Sequence, residues 1–568
     1  MVAAGLAGEA ASAAMPPLLL TSTIRNAVAF ATKSVGGAIP TRVAELAIGL
    51  LRAMATAKLQ GLAALLIAVG FTVIGGGLCA KNLLVTHREV EPLVPATTVV
   101  ATAQQEPDGK TLITGASYND PVVRAWDALT GKPRGEWTGH ASGIHSLTVT
   151  PDGKQVASSG QDRTIRFWHL DTGKQLRRIA TGKAPAFMIS YSPDGKLLAL
   201  GGNTGIHLLD AVTGREVRSF RTEAILRLAF APDGKTLATA GSQEAFVRLW
   251  DVASGRELRH FPGCKSGSVL AFSPDGRALA TGVDDGTVHA WDPATGRELC
   301  TLGATAYPAA GTAYIIGSIA FSRDGRVVAA GYSDGTLGLL EMASGLERAR
   351  FQGHRGGILA VAFSNDGSLL ATGSWDRTAV VWDVTGSIRA DGNGARGVTL
   401  DPKQGNQLWA DLADSDAVKA YEAMKTLIRA PATVNLLGRH LKTAAPADET
   451  LVNRLVANLD SNDFAVRDEA ARELVSQGDV AEPILRRALT RKPSLEARRR
   501  IEDILARIGP RRSGRALRDL RAIEILERIG TAEARQVLSV LAIGSPHAQL
   551  TRDAKASLER LVQRESPP

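Results

Sequence analysis

Between residues 97 and 386 the chain repeats one pattern of apolar and polar positions. An alternating strand leads through Asp-Gly into a second strand, a third ends in Trp-Asp or an analogue, and Thr-Gly or Ser-Gly opens a short fourth. SVLAFSPDGRALATGVDDGTVHAWDPATGRELCTL, from Ser268 to Leu302, shows the unit whole. Its turn glycines are Gly109, Gly153, Gly195, Gly234, Gly276, Gly325 and Gly367, which makes seven units. Asp-Gly between alternating runs is a hairpin signal, because the turn needs positive φ. Four strands per unit describe a propeller blade, and seven units a seven-bladed, all-β ring.

After Gly386 the connector SIRADGNGARG breaks the period, and from about Gln404 the apolar spacing becomes helical. Val466, Ala470 and Leu474 form one stripe, and Ile501, Leu505 and Ile508 another. Gly530 followed by Thr531 reads as a stop and an N-cap, and Thr551 as the cap of the last helix. Nine or ten helices in antiparallel pairs are expected, an all-α solenoid with a continuous core.

A third pattern precedes both. Leu59 to Ala80 is uncharged throughout, bracketed by Lys58 and Lys81, and long enough as a helix to cross a hydrocarbon core of about 30 Å. It predicts a single uncleaved transmembrane helix. Arg42, Arg52 and Lys58 before it, against Lys81 and Arg88 after it, put the N-terminus in the cytoplasm and the rest outside. Before the run, Pro40 and Thr41 open a helical pattern with Val43, Leu46, Ala47, Leu50 and Leu51 on one face.

Trp126-Asp127, Trp250-Asp251, Trp291-Asp292 and Trp382-Asp383, with Gly139-His140 and Gly353-His354 opening blades two and seven, resemble the WD-repeat family. The resemblance implies a hydrogen-bonded chain of His, Ser or Thr, Asp and Trp inside a blade: His140, Ser158, Asp162 and Trp168 in blade two, and His354, Thr372, Asp376 and Trp382 in blade seven. These are structural rather than catalytic. Blade three carries Leu209-Asp210, blade six Leu340-Glu341, and blade five Cys264 in place of His, so apolar packing alone is expected to hold those three. The resemblance also implies a ring closed by an N-terminal strand. Either part of Leu83 to Val94 supplies it, or Ser387 to Ala390 completes blade seven in line.

Two further likenesses concern the flanks. Asp463 to Leu489 and Ile529 to Leu561 resemble HEAT-type repeats, which implies an extended binding face. The Ala-rich residues 1–58 with the following anchor resemble the tail of planctomycete-type extracytoplasmic-function sigma factors. The expected organisation is therefore multidomain: 1–58 Ala-rich and cytoplasmic, 59–80 transmembrane helix, 81–96 linker, 97–390 propeller, 391–403 linker, 404–564 HEAT-like helices.

Composition changes this picture little. Of 568 residues, 66 are Lys or Arg and 57 Asp or Glu, a thin surplus of +9. The densest basic stretch, Arg498 to Arg500 with Arg511, Arg512, Arg515, Arg518 and Arg521, is interleaved with Glu496, Glu502, Asp503 and Asp519. It reads as a solvated helix face rather than a nucleic-acid surface. Three cysteines without C-x-x-C spacing, Cys79, Cys264 and Cys300, indicate neither a disulfide framework nor a zinc site. Gly331-Tyr332-Ser333-Asp334-Gly335 matches G-x-S-x-G, but between two strands rather than strand and helix, which is the wrong context for a nucleophile elbow.

The function expected is that of a non-enzymatic, membrane-anchored scaffold for proteins or peptides, with no cofactor, no metal and no small-molecule substrate. Loops before the first and third strands share one rim of the ring, and interface anchors are enriched in Trp, Tyr and Arg. On that rim Trp375, Tyr332, Tyr307, Tyr314, Arg163 and Arg377 are the expected partner-binding residues. The alternatives are a transcription-regulatory component acting through the sigma-like segment, or an enzyme with its site in the central channel.

Overall fold

The computed structural model describes residues 102–565 apart from 106–110, 117–119, 183–185, 223, 242–245, 263–268, 284, 304–314, 365, 386–398, 444–447, 479–480, 492, 509–513 and 547. The expected transmembrane run at 59–80, the sigma-like segment and both candidate closing strands, Leu83 to Val94 and Ser387 to Ala390, lie outside the described residues. No helix among the described residues is long and apolar enough to cross a membrane.

Twenty-seven strands, β1–β27, form seven antiparallel sheets in chain order. Their innermost strands are β1 (Thr102–Gln105), β5 (Ile144–Val149), β9 (Ala186–Tyr191), β13 (Ile225–Phe230), β17 (Val269–Phe272), β21 (Ile316–Phe321) and β25 (Ile358–Phe363). Each neighbours the next around a circle, and β1 returns to β25. The last seam is packed by Leu112 and Trp126 of blade one against Ala360, Leu369 and Val381 of blade seven. Six blades show four strands; blade seven shows three, β25, β26 (Leu369–Ser374) and β27 (Ala379–Asp383), among the described residues. The Asp-Gly turns form as expected: Gly153 holds φ 69, and Gly195, Gly234, Gly276, Gly325 and Gly367 lie within a few degrees of it.

Ten helices follow: α1 (Pro402–Asp411), α2 (Ala417–Ile428), α3 (Thr433–His440), α4 (Glu449–Asn458), α5 (Phe464–Gln477), α6 (Glu482–Thr490), α7 (Leu495–Ile508), α8 (Gly514–Ile529), α9 (Ala532–Ala542) and α10 (Gln549–Glu565). Side-chain caps set several starts. Asp401 and Gln404 make a capping box, Asp416, Asp448 and Asp463 accept N–H groups of the first turns, and Thr531 caps α9 after Gly530 at φ 62. Thr551 is no cap. The helix begins two residues earlier, at Gln549, and the Thr551 side chain is buried within its first turn.

Instead of one continuous core, the described helices show two. Val452, Ala470, Leu474, Ile501 and Leu505 join α4–α7 in a core of their own. Helices α1–α3 and α8–α10 share theirs with the propeller, where Tyr421, Met424, Leu427, Ile523 and Leu526 meet Leu339, Phe351, Leu370 and Val384 of blades six and seven. Six helices are thus fused to two blades.

Candidate functional site

In a four-stranded antiparallel blade the first-to-second and third-to-fourth turns lie on one rim, and the second-to-third turn and the inter-blade loop on the other. His140 and His354 sit in inter-blade loops, and Asp162 and Asp376 in second-to-third turns. The sheet register therefore brings each pair to the same rim.

In blade two the His140 ring meets Asp162 through Nδ1 at 3.0 Å and Ser158 through Nε2 at 2.7 Å, while Trp168 Nε1 donates to the same Ser158 Oγ at 2.8 Å. Blade seven repeats the chain. His354 Nδ1 lies 3.1 Å from Asp376 and Nε2 lies 2.7 Å from Thr372 Oγ1, which accepts from Trp382 Nε1 at 2.8 Å. Burial lowers both histidine pKa values, which keeps the imidazoles neutral at pH 7. Burial alone would raise Asp162, but the Ala141 N–H, the Thr164 hydroxyl and His140 outweigh it and hold the carboxyl at about 2. The eight residues act as mutually satisfied polar groups that tie the strands of each blade together.

This network sets an acid sensitivity. Below the ordinary histidine value of 6.5 the unfolded chain takes protons that buried His140 and His354 refuse, so stability should fall as pH drops through that value. A second, steeper fall is expected below 4.5, where depressed carboxyls such as Asp162, Asp376 and Glu341, protonated in the unfolded chain, must give up their protons on folding. Urea midpoints measured from pH 8 to pH 4 check this. In a His140→Asn/His354→Asn variant the first fall should shrink to the part that partly buried His145 contributes, and the second should remain.

The family model "WD domain, G-beta repeat" matches residues 131–169, 214–251, 255–292, 306–339 and 345–383. The guanine nucleotide-binding protein subunit beta of Oryza sativa subsp. japonica is 31% identical over 309 residues, covering 49% of this chain and 78% of that protein. Its Zea mays counterpart is 30% identical over 309 residues with the same coverage. The serine-threonine kinase receptor-associated protein of Gallus gallus is 28% identical over 195 residues, 34% of this chain and 54% of that protein. The chain belongs to the WD-repeat family.

The WD repeats that depart from the pattern do so in two ways. Blades three and six lose both partners at once: Leu209 and Leu340 replace the tryptophan, and Leu200 and Ala330, at the register position of Ser158, replace the hydroxyl. Removing both partners leaves no indole N–H without an acceptor, which is far cheaper than removing one. Blade five is different. It was expected to hold by apolar packing alone, yet Trp291 Nε1 donates to Thr281 Oγ1 at 3.0 Å. Blades one and four keep the same shortened link, Trp126 to Thr114 and Trp250 to Thr239.

On the rim that carries the tetrad histidines, Trp375 is 51% exposed with Arg377 exposed in the same second-to-third turn of blade seven, and Arg163 is exposed in the corresponding turn of blade two. Both arginines hold left-handed backbone, φ 60 and φ 71, at the turn position where blades five and six carry Gly286 and Gly335. A non-glycine residue there costs about 1 kcal/mol. Tyr307 and Tyr314 lie outside the described residues.

Tyr332 does not join them. It ends β22 (Val327–Tyr332) at the register position of Ser374, one residue before the turn, and its side chain is fully buried. The ring packs beside Leu340 of its own blade, which lacks tryptophan, and Leu302 of blade five, with the Arg350 guanidinium 5.1 Å from its centroid. Tyr332 is a core residue. Tyr332→Ala should cost about 3–5 kcal/mol of stability, whereas Trp375→Ala should change it by less than about 0.5 kcal/mol, as denaturant melts can show.

The motif Gly331 to Gly335 spans the turn from β22 to β23 (Thr336–Glu341), strand to strand as expected, and Ser333 Oγ accepts the N–H of Ile315 at 3.2 Å. Among the described residues no three His, Cys, Asp or Glu side chains lie close enough to hold a metal ion. Burial pushes the Cys300 thiol up to about 11, so it is no ready nucleophile; Cys79 and Cys264 lie outside the described residues.

The opposite rim is occupied. Arg521 of α8, expected on a solvated face, is buried and grips Glu341 at the end of β23 through both carboxylate oxygens, at 2.9 and 2.6 Å. Its remaining nitrogen reaches the carbonyls of Leu412 and Asp414 at 2.8 and 2.9 Å. Arg348, near the start of β24 (Glu347–Gln352), pairs with Glu524 at 3.2 Å. Arg326 in the Asp-Gly turn of blade six meets Glu527 at 2.9 Å, which Arg560 clasps at 2.7 Å. Against burial, Arg521 holds the Glu341 carboxyl below the usual range, and Arg560 and Arg326 do the same for Glu527. The Tyr421 hydroxyl donates to the Val384 carbonyl. The Glu341 that replaces Asp in the Trp-Asp position is thus the anchor of the helical region, a role its own repeat does not reveal.

Proposed function

We propose that this chain is a non-enzymatic scaffold that binds proteins or peptides on the open rim of its propeller, with the helical region fastened to the other. The observation that carries the reading is the pair of left-handed arginines, Arg163 and Arg377, exposed on the same rim as Trp375. Side chains of these two types form interface hot spots. Membership of the WD-repeat family supports it, since the similar chains are named as a subunit and as a receptor-associated protein. The uncharged run at 59–80 supports a membrane tether that holds the propeller and helices on the extracytoplasmic side. Helices α4–α7, with their separate core and HEAT-like spacing, form a second surface for partners.

Proximity labelling in native membranes, read by mass spectrometry, tests the rim. The triple variant Trp375→Ala/Arg163→Gly/Arg377→Gly should keep its folding stability, since glycine relieves the left-handed turns, and should lose more than about half of the labelled proteins, as hot-spot removal predicts. An unchanged labelled set in a stably folded variant contradicts the assignment.

A further inference from the structure

Helices α3 and α9 leave a groove between them. Among the described residues it is lined by Val434 and Leu441 from the α3 side and by Val537, Val540 and Leu541 from α9, over a volume of about 900 Å³. Helical spacing makes it so. Val434, Gly438 and Leu441 share one face of the first segment, and Glu533, Val537, Val540 and Leu541 one face of the second. Gly438 lets the two helices approach, since a Cβ there would stand 3.3 Å from Val537 Cγ2. The 11 residues of α9 give the groove a length of about 16 Å, or about three turns of helix.

The floor is firm and the wall is bare. Leu441 and Leu541 are buried, and Val434 and Val537 pack on the core that these helices share with the propeller. Val540, by contrast, is 53% exposed, and Ile543 just beyond the end of α9 is 82% exposed. Charge gives the groove a sign. Arg429 and Arg439 line it against one carboxylate, Glu533. That carboxylate is already held by its own backbone N–H and the Thr531 hydroxyl, which keep its pKa below the usual range. Residues 444–447, which follow close after Leu441 and lie outside the described residues, carry no charge.

We propose that the groove between α3 and α9 receives an acidic amphipathic helix of a partner protein. Apolar side chains at i, i+4 and i+7 of that helix lie along Val434, Val537 and Val540, which is how a third helix fills the space between two. Its flanking Asp and Glu side chains face Arg429 and Arg439, which select it over a basic helix of the same apolar stripe. A floor fixed by the shared core needs no rearrangement to receive it, so little of the binding energy is lost to ordering. The groove uses none of the rim residues of the propeller, so it stands or falls separately from the scaffold reading.

Fluorescence anisotropy of the labelled peptide acetyl-DEELLAELLEELAG-amide with the full chain tests the proposal, beside acetyl-KKKLLAKLLKKLAG-amide, which keeps the apolar stripe and reverses the charge. The acidic peptide should bind saturably, and the basic one at least about tenfold more weakly at the same salt concentration. Val540→Asp should weaken the acidic peptide by more than about tenfold and Arg439→Glu by about fivefold. Both side chains are exposed, so urea midpoints should stay at the wild-type value. The variant Trp375→Ala/Arg163→Gly/Arg377→Gly should bind as the wild type does, which separates this groove from the rim. No saturable binding, equal binding of the two peptides, or unchanged binding in either stably folded variant overturns the proposal. So does self-association in sedimentation that Val540→Asp abolishes, which assigns the groove to a second copy of the chain.

Discussion

Arg521→Ala is expected to destabilise the chain by about 3–5 kcal/mol, because it strips a buried carboxylate of its counter-ion. Glu341 has no water to turn to: its side chain is 5% exposed, and that of Arg521 2%. The two carbonyls that Arg521 also satisfies, of Leu412 and Asp414, would lose their donors together. The double variant Arg521→Met/Glu341→Leu should recover most of the loss, since replacing both members of a buried pair by apolar groups is often neutral. Denaturant melts of the two variants check this. A loss below about 1 kcal/mol in Arg521→Ala, the size of an exposed ion pair, would show that the contact is solvated.

Thr372→Val is expected to cost about 2–5 kcal/mol, because one hydroxyl serves two buried groups, the Trp382 indole N–H and His354 Nε2. In blade five the same change, Thr281→Val, abandons only the indole of Trp291 and should cost about 1–3 kcal/mol. The contrast between the two blades carries the test, since volume and burial are alike at both positions. Equal losses would mean that His354 draws nothing from Thr372. Blades three and six show how the fold tolerates the change, by losing tryptophan and hydroxyl together at Leu209 with Leu200 and Leu340 with Ala330.

The ring was legible because it rests on local rules, and its tetrads because the chain resembles the WD-repeat family. Asp-Gly needs positive φ at one residue, and His, hydroxyl and Trp recur at fixed offsets within some forty residues. Tyr332 was misplaced on the rim because a tyrosine one residue before a turn reads like a turn residue. Its inward position shows only when β22 is set in register with β26, and the absence of tryptophan from blade six was the available signal. Arg521 reads as part of a solvated face because it closes an arginine-rich stretch interleaved with acids such as Asp519, while its true partner, Glu341, lies 180 residues away. No periodicity can announce such a pairing. The split of the helices into two cores has the same origin: a stripe on α8 shows that it buries a face, not that blade six is what it buries against.

Propeller and helices are held here as one body by buried charge pairs on one rim. Calorimetry of the full chain, with tryptophan fluorescence following the propeller and far-ultraviolet circular dichroism following the helices, tests that most directly. The account predicts that α8–α10 and the propeller melt in one coincident transition, which separates into two in Arg521→Ala. Two independent transitions in the wild-type chain, unmoved by that substitution, would contradict it.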